Sequence, residues 1–307
     1  MTTPRSAYRG RFAPSPTGPL HFGSLVAATG SFLEARTNSG EWHLRMDDVD
    51  APRCSMVAAG EILGALEACG FTWDGEVIWQ SSRAHAYAAA LERLKAAGRV
   101  FPCACTRKEL ADSAMAPDGA AIYPGTCRQR LQVGRVLRSW RLRVGDARIT
   151  FDDAVQGRIE SDLAGESGDF IVLRADGLFA YQLAVVVDDA EAGITHVVRG
   201  ADLLASTPRQ ILLQQCLGVP TPSYAHLPVA VNATGEKLSK QTRAAPVDIS
   251  RPGPALFAAL EFLGQLPPLE LSSADISELW TWARANWRLD RVPRGPALAG
   301  SGRNASG

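Results

Sequence analysis

Two short segments, more than two hundred residues apart, carry side chains suited to a triphosphate. Residues 11–25 read RFAPSPTGPLHFGSL, a turn rich in proline and glycine that leads through His21 and Gly23 into a helix. A helix N-terminus offers unpaired backbone N–H groups and the positive end of its dipole. An imidazole there can donate to an α-phosphate oxygen, and Gly23 lets a nucleotide approach the backbone. Residues 235–241 read GEKLSKQ, so Lys237 and Lys240 bracket a Leu-Ser pair in a loop introduced by glycine. Such ammonium groups can follow pyrophosphate as it leaves. ATP binding is expected at His21, Gly23, Ser24, Lys237 and Lys240, with His21 and Lys240 catalytic. Singly these signals are weak; in this order, within an alternating chain, they are specific.

A second cluster is Cys103-Ala104-Cys105 followed by Cys127. Three thiolates suit a closed structural zinc site, which takes four tetrahedral ligands. The segment has no histidine, so Tyr123, Glu109, Asp112, Asp118 or water must supply the fourth. By chemistry alone a carboxylate ranks above a phenol. Cys54, Cys69 and Cys216 are scattered through helical segments and read as core residues.

The elements that must hold these groups alternate. A strand at residues 10–13 precedes a helix from Ser24 to about Asn38 or Gly40, then a strand at 41–46, EWHLRM. Helices follow at 56–69 and 84–97, stopped by Gly70 and Gly98. This order yields a parallel sheet with crossovers. Residues 101–168 break the alternation, with the cysteines, an arginine-rich stretch and short strands at 140–144 and 148–151. Strand-like runs then return at 170–174, 181–187 and 195–198. The middle run is apolar enough to be buried on both faces, and Asp188 and Asp189 would end it. Helices are predicted at 207–217, 254–263 and 274–285.

The expected fold class is α/β: a doubly wound, Rossmann-like parallel sheet with an inserted zinc-binding subdomain and a short helical C-terminal part. Residues 1–100 and 169–245 would be the two halves of the catalytic domain, the second carrying the lysine loop. Residues 101–168 would be the insertion, 246–295 the helical part and 296–307 a disordered tail.

With 307 residues and 46% hydrophobic content, the chain can bury a sizeable core. Lys+Arg equals Asp+Glu at 32 each, so no net field points to nucleic acid, but the charge is unevenly spread. Seven arginines between Arg128 and Arg148 face only Asp146, and Arg284, Arg288, Arg291 and Arg294 face only Asp290. Such patches can hold phosphates on a neutral protein. The start MTTPRSAYRG has no apolar signal core, and the apolar runs are too short to span a bilayer. A cytoplasmic monomer without a membrane partner is expected.

The HFGS at residues 21–24 and the KLSKQ at 237–241 resemble the HIGH and KMSKS motifs of class I aminoacyl-tRNA synthetases. With LRMDDVD, YQLAVVVDD and VVRGADLL, residues 9–245 look like the catalytic half of a bacterial glutamyl-tRNA synthetase. The short remainder after KLSKQ, together with Ser24 and Gln182, is similar to the shortened paralogues, the glutamyl-Q tRNA(Asp) synthetases. That resemblance implies ATP-dependent activation of L-glutamate and its transfer to queuosine in the anticodon of tRNA(Asp), with Mg2+ accompanying ATP. It also implies that Arg11 and Arg199 take the glutamate carboxylates, helped by Ser15 and the Tyr181 hydroxyl within a pocket that includes Phe12, Ala13 and Pro14. Asp47 stands where the family has a glutamate for the substrate ammonium, one methylene longer. The pattern C-x-C…Y-x3-C is similar to the zinc site of those paralogues, which implies Cys103, Cys105, Tyr123 and Cys127 as ligands. One departure is Ser24, where the archetypal motif has its second histidine. Competing readings are a truncated synthetase charging the 3′ end of tRNA(Glu), a non-catalytic RNA-binding paralogue, and a related ligase acting on a protein or small molecule.

Overall fold

The computed structural model describes residues 8–111, 113–115, 122–131, 133–231 and 245–299. Lys237 and Lys240, and with them the expected lysine loop, lie outside the described residues.

The chain opens with β1 (Arg9–Phe12), α1 (Phe22–Thr37) and β2 (Glu41–Met46), a parallel strand pair joined by a helix, with Arg9 opposite Glu41 and Phe12 opposite Leu44. Then come α2 (Met56–Ala68), β3 (Ile78–Trp79) parallel to β2, and α3 (Ala84–Ala96). Residues 100–173 hold β4 (Val100–Cys103), β5 (Ser139–Leu142), β6 (Arg148–Asp153), β7 (Gly157–Asp162), the one-turn α4 (Leu163–Glu166) and β8 (Ile171–Leu173). Next are α5 (Tyr181–Glu191), β9 (His196–Gly200), α6 (Thr207–Leu217), β10 (Ser223–Leu227) and β11 (Val229–Val231). The chain closes with α7 (Pro252–Phe262), α8 (Ile276–Asn286) and β12 (Ala297–Ala299).

The strands order as β1-β2-β3, β7-β6-β10-β9, β11-β12 and β4-β5-β8. Most pairings are parallel; among the described residues only β6–β7 and β4-β5-β8 pair antiparallel. The fold is α/β. The Thr195 amide donates to Arg9 O at 2.9 Å, setting the start of β9 against β1. The β6–β7 hairpin joins β10 where Asp153 pairs with Tyr224, which brings residues of the 101–168 stretch beside the strands of the chain's second half.

Helix α1 is buried on almost every side. Gly30 allows this on one side: a Cβ there would stand 2.5 Å from a methyl of Leu227 on β10. On another side, Phe32 packs edge-on against Trp42, Phe71 and Trp280, with ring centroids 5.2, 5.4 and 4.9 Å away. Such aromatic pairs each contribute about 0.5–1.5 kcal/mol beyond their buried area. The Trp280 indole donates to Cys69 O at 2.8 Å and the Trp287 indole to Glu34 Oε2 at 2.6 Å, so α8 and the turn after it are fastened to α2 and α1.

Two expectations are corrected. Residues 181–187 are not a strand but the first two turns of α5, with every side chain from Leu183 to Asp189 buried. When all faces of a helix are covered, its sequence loses the polar stripe that reveals a 3.6-residue period, and a Val-Val-Val run then reads as strand. Residues 297–299, assigned to a disordered tail, form β12 parallel to β11, with Ala297 opposite Val229. The remainder of that tail, residues 300–307, lies outside the described residues.

Candidate active site and metal centre

A cavity of about 440 Å³ opens at the C-terminal ends of β1, β9 and β10, where open α/β sheets present functional groups. Arg11, Phe12, Ala13, Pro14 and Ser15 line it from β1 and the turn that follows. His21, Gly23 and Ser24 line it from the start of α1, and Tyr181 and Arg199 from α5 and β9. The turn is stitched in place: the Asp47 amide donates to Pro14 O and the Ser55 amide to Pro16 O, both at 2.9 Å.

His21 is the N-cap of α1. Its Nδ1 accepts from the Ser24 amide at 3.3 Å, which leaves the ring proton on Nε2, 3.1 Å from Ser24 Oγ. The residue after the lysine segment returns to the same place. Pro246 bridges to His21, and the Val247 amide donates to Leu20 O at 2.9 Å. At the other end of that segment, Val229 and Ala230 line the cavity. Both ends of the chain segment that carries Lys237 and Lys240 are thus anchored at the cavity.

The two arginines reach the cavity from different surroundings. The Arg11 guanidinium donates through Nε to Asp189 Oδ1 at 3.2 Å and through Nη2 to Asp189 Oδ2 at 3.3 Å. Arg45 donates to the same Asp189 at 2.5 Å and to Asp47 Oδ1 at 2.6 Å. The neighbouring Asp188 accepts from Gln80 at 2.8 Å, from Arg83 at 2.6 Å and from the Tyr87 hydroxyl at 2.9 Å. Three carboxylates and three guanidinium groups thereby balance beneath the cavity. Burial pushes Asp189 toward the neutral form, but Arg11 and Arg45 outweigh it and hold its pKa below the ordinary value. Burial wins at Asp47, whose pKa is raised despite Arg45. Asp47 belongs to this layer and is not part of the cavity wall.

Arg199, 5% exposed, donates only to neutral acceptors among the described residues. Its Nε donates to His226 Nε2 at 3.0 Å, and its Nη2 to Thr207 Oγ1 and Gln210 Oε1, both at 2.8 Å. Nη1 is buried and has no hydrogen-bond partner among the described residues. A guanidinium charge held this way calls for an anion. The Tyr181 phenol feels Arg199, Arg11 and Asp47, and burial raises its pKa.

Apart from this cavity, the Sγ atoms of Cys103, Cys105 and Cys127 lie within 4.8 Å of one another. The Tyr123 hydroxyl is 3.5 Å from Cys103 Sγ and 3.7 Å from Cys105 Sγ, and the Cys105 and Cys127 sulfurs are 3.7 Å apart. A tetrahedron with metal–sulfur bonds of about 2.3 Å has sulfur–sulfur edges of about 3.8 Å, and oxygen–sulfur edges of about 3.5 Å. The Cys105–Cys127 edge and the two tyrosine–sulfur edges come close to those lengths, while the sulfurs as a set lie within 4.8 Å of one another. Tyr123 is fixed on several sides. Its oxygen accepts from the Cys127 amide at 2.7 Å, and the Arg141 guanidinium lies 4.1 Å over its ring. Gly168 lies against its backbone, where a Cβ would approach Tyr123 N to 3.1 Å. Glu109, one of the alternatives for the fourth position, instead accepts from Arg135 at 2.7 Å and from the Thr106 amide at 2.7 Å.

The arginine stretch is largely committed to this lobe. Arg128 pairs with Asp169 at 2.6 Å, Arg135 with Glu109, and Arg143 lies 4.8 Å from the centre of the Phe101 ring. Arg130, Arg138 and Arg148 stay exposed.

Sequence reasoning left Asp189, which holds Arg11, without a role and missed the pair Asp153 and His226, which holds Arg199. Asp153 and His226 lie 73 residues apart in short strands, with no local spacing to join them.

The cavity thus lies between an imidazole-capped helix and two buried arginines, on mostly parallel strands. Residues 7–253 match the family described as tRNA synthetases class I (E and Q), catalytic domain, and the chain belongs to that family. Its relatives narrow the class. A glutamyl-Q tRNA(Asp) synthetase of Aromatoleum aromaticum is 63% identical, covering 94% of this chain and 91% of its own length. One of Dechloromonas aromatica is 60% identical over 94% of this chain and 97% of its own. Among solved structures, a glutamate tRNA ligase from Elizabethkingia meningosepticum in complex with its amino acid shares the fold. The TM-score is 0.79 at 23% identity, covering 96% of this chain and 67% of that one.

Proposed function

We propose that this enzyme activates L-glutamate with ATP as glutamyl-adenylate and transfers the glutamyl group to queuosine in the anticodon of tRNA(Asp). The observation that carries the reading is the single cavity shared by the His21-capped start of α1 and the buried Arg199, whose Nη1 lacks a partner among the described residues. Near-full-length identity to glutamyl-Q tRNA(Asp) synthetases supports the choice of substrates.

In the first step a glutamate carboxylate oxygen attacks the α-phosphorus of ATP, and pyrophosphate leaves. His21, through its Nε2 proton, and the α1 N-terminus would steady the non-bridging oxygens, with Lys237 and Lys240 following the departing charge. In the second, a hydroxyl of the modified nucleoside attacks the mixed anhydride and AMP leaves. Arg199 and Arg11 would take the two glutamate carboxylates through their guanidinium forks. Tyr181 and Ser15 would assist, and Asp47 would act on the ammonium through the layer beneath the cavity. Asp202 is the one carboxylate among the described residues lining the cavity, so Mg2+ would enter with the triphosphate.

Cys103, Cys105, Tyr123 and Cys127 would hold one structural zinc, tying the stretch after β4 to residues 123–127. The reading extends to a doubly wound catalytic domain carrying an inserted zinc lobe at 101–168, in a cytoplasmic monomer. No described helix is long and apolar enough to cross a membrane.

The test is incubation with labelled glutamate, ATP and tRNA(Asp) with or without queuosine, followed by mapping the label with ribonuclease. Label confined to the anticodon of the queuosine-containing RNA is expected. Labelling indifferent to queuosine, or at the 3′ end of tRNA(Glu), would overturn the assignment.

A further inference from the structure

Arg199 has five N–H donors, and three are consumed inside the protein, by His226, Thr207 and Gln210. Gln210 is itself held by Gln182 at 2.8 Å, and Gln182 donates to Ser206 Oγ at 3.0 Å. The contact to His226 is the demanding one. A guanidinium only donates, so His226 Nε2 must present a lone pair to it. The ring proton then sits on Nδ1, 2.6 Å from Asp153 Oδ2. The other Asp153 oxygen accepts the amides of His226, Val155 and Gln156 at 3.1, 3.0 and 2.8 Å. Both side chains of the pair are fully buried.

We infer that Asp153 and His226 are positioning residues for the amino acid: the carboxylate fixes the imidazole as its Nδ1–H tautomer, and the Nε2 lone pair aims Arg199 so that Nη1 meets a substrate carboxylate. This deepens the reading above and rests on Arg199 being a glutamate ligand. Asp153 arrives on the β6–β7 hairpin, which joins the sheet of β9 through β10, so a strand two places away from Arg199 sets the affinity of the cavity. Burial keeps His226 neutral, with its pKa pushed down to about 4 although Asp153 opposes the shift. The accepting lone pair therefore persists at neutral pH.

Asp153→Asn isolates the effect. The amide keeps an oxygen for the three backbone N–H groups but offers N–H to Nδ1. The ring proton moves to Nε2 and faces the Arg199 Nε–H. In glutamate-dependent exchange of pyrophosphate into ATP, KM for glutamate is expected to rise about ten- to a hundredfold, as for loss of a hydrogen bond to a charged group. The kcat and the KM for ATP should stay near wild type. His226→Gln in the Asp153→Asn background should recover much of the loss, because a carboxamide oxygen accepts from Arg199 whatever residue 153 is. A glutamate KM within about twofold of wild type in folded Asp153→Asn, or no recovery in the double variant, overturns the inference. Arg199→Lys separates the two levels: if it leaves KM for glutamate unchanged, the ligand assignment itself is wrong. If Asp153→Asn does not fold, nitrogen NMR of the wild-type imidazoles decides: the Nδ1–H form at His226 supports the relay, and the Nε2–H form overturns it.

Discussion

Arg11 and Arg199 enter one cavity under opposite electrostatic conditions. Arg11 is neutralised by Asp189, which also holds Arg45, whereas the hydrogen-bond partners of Arg199 are uncharged. The first arginine is therefore part of the fold's own charge balance, and in the proposed reading the second keeps its charge for a glutamate carboxylate. Asp189→Asn should expose the difference. It leaves two buried cations short of an anion, and breaking a buried pair from one side typically costs about 3–5 kcal/mol. A clear fall in the denaturation midpoint is expected, measured by urea titration; an unchanged midpoint would show that the network carries little stability. Sequence reading named Arg11 and Arg199 but left the roles of Asp188 and Asp189 open. At the end of an expected strand they suit either a ligand or the capping of the next loop. On a buried helix they face Arg11, Arg45 and Arg83 instead.

The elements were legible where one face meets water. The sequence places α2 at 56–69 and it is Met56–Ala68, and α3 at 84–97 and it is Ala84–Ala96, because each leaves one face exposed and has a glycine stop. Helix α5 was misread because burial on all sides removed its polar face. Strand β7 was missed because Gly157–Asp162 is charged and mostly exposed, pairing only along one edge with β6. The cysteine-bearing lobe follows a different logic, since its core is small: Phe101, Cys103, Ala104, Tyr123 and Cys127. In the proposed reading a cluster that small leans on a bound zinc as its cross-link. Removing the metal with a chelator should speed hydrogen exchange at residues 101–111 and 122–131 while α1 and β1 remain protected. Equal exchange with and without chelator would mean that packing, and not a bound ion, holds the lobe.

Across the whole molecule, the buried ionisable groups set how stability follows pH. His226 has an ordinary pKa of 6.5 and is lowered to about 4 in the fold, mainly by burial. Between those values the unfolded chain takes up a proton that the folded protein refuses, so stability rises with pH across that window and is lost on acidification. At about 1.4 kcal/mol per pKa unit, the full difference is about 3 kcal/mol. Asp153 and Asp189 act lower on the scale. Their folded pKa values lie below the ordinary 3.8, so the stability they add is present above that value and disappears as pH falls through the lowered ones. Asp47 runs the other way, because its raised pKa makes its ionisation unfavourable to the fold, and acid relieves that cost. The net expectation is a decline in two stages, the first between pH 6.5 and about 4 from His226 and the second below it from the paired aspartates. Urea midpoints measured at half-unit steps from pH 7.5 to 3.5 should show the first stage in the wild type and lose it in His226→Gln, which cannot take up the proton. Identical slopes for the two proteins in that interval would mean that His226 is not the group whose neutrality the fold enforces, and the tautomer that steadies Arg199 would lose its physical basis.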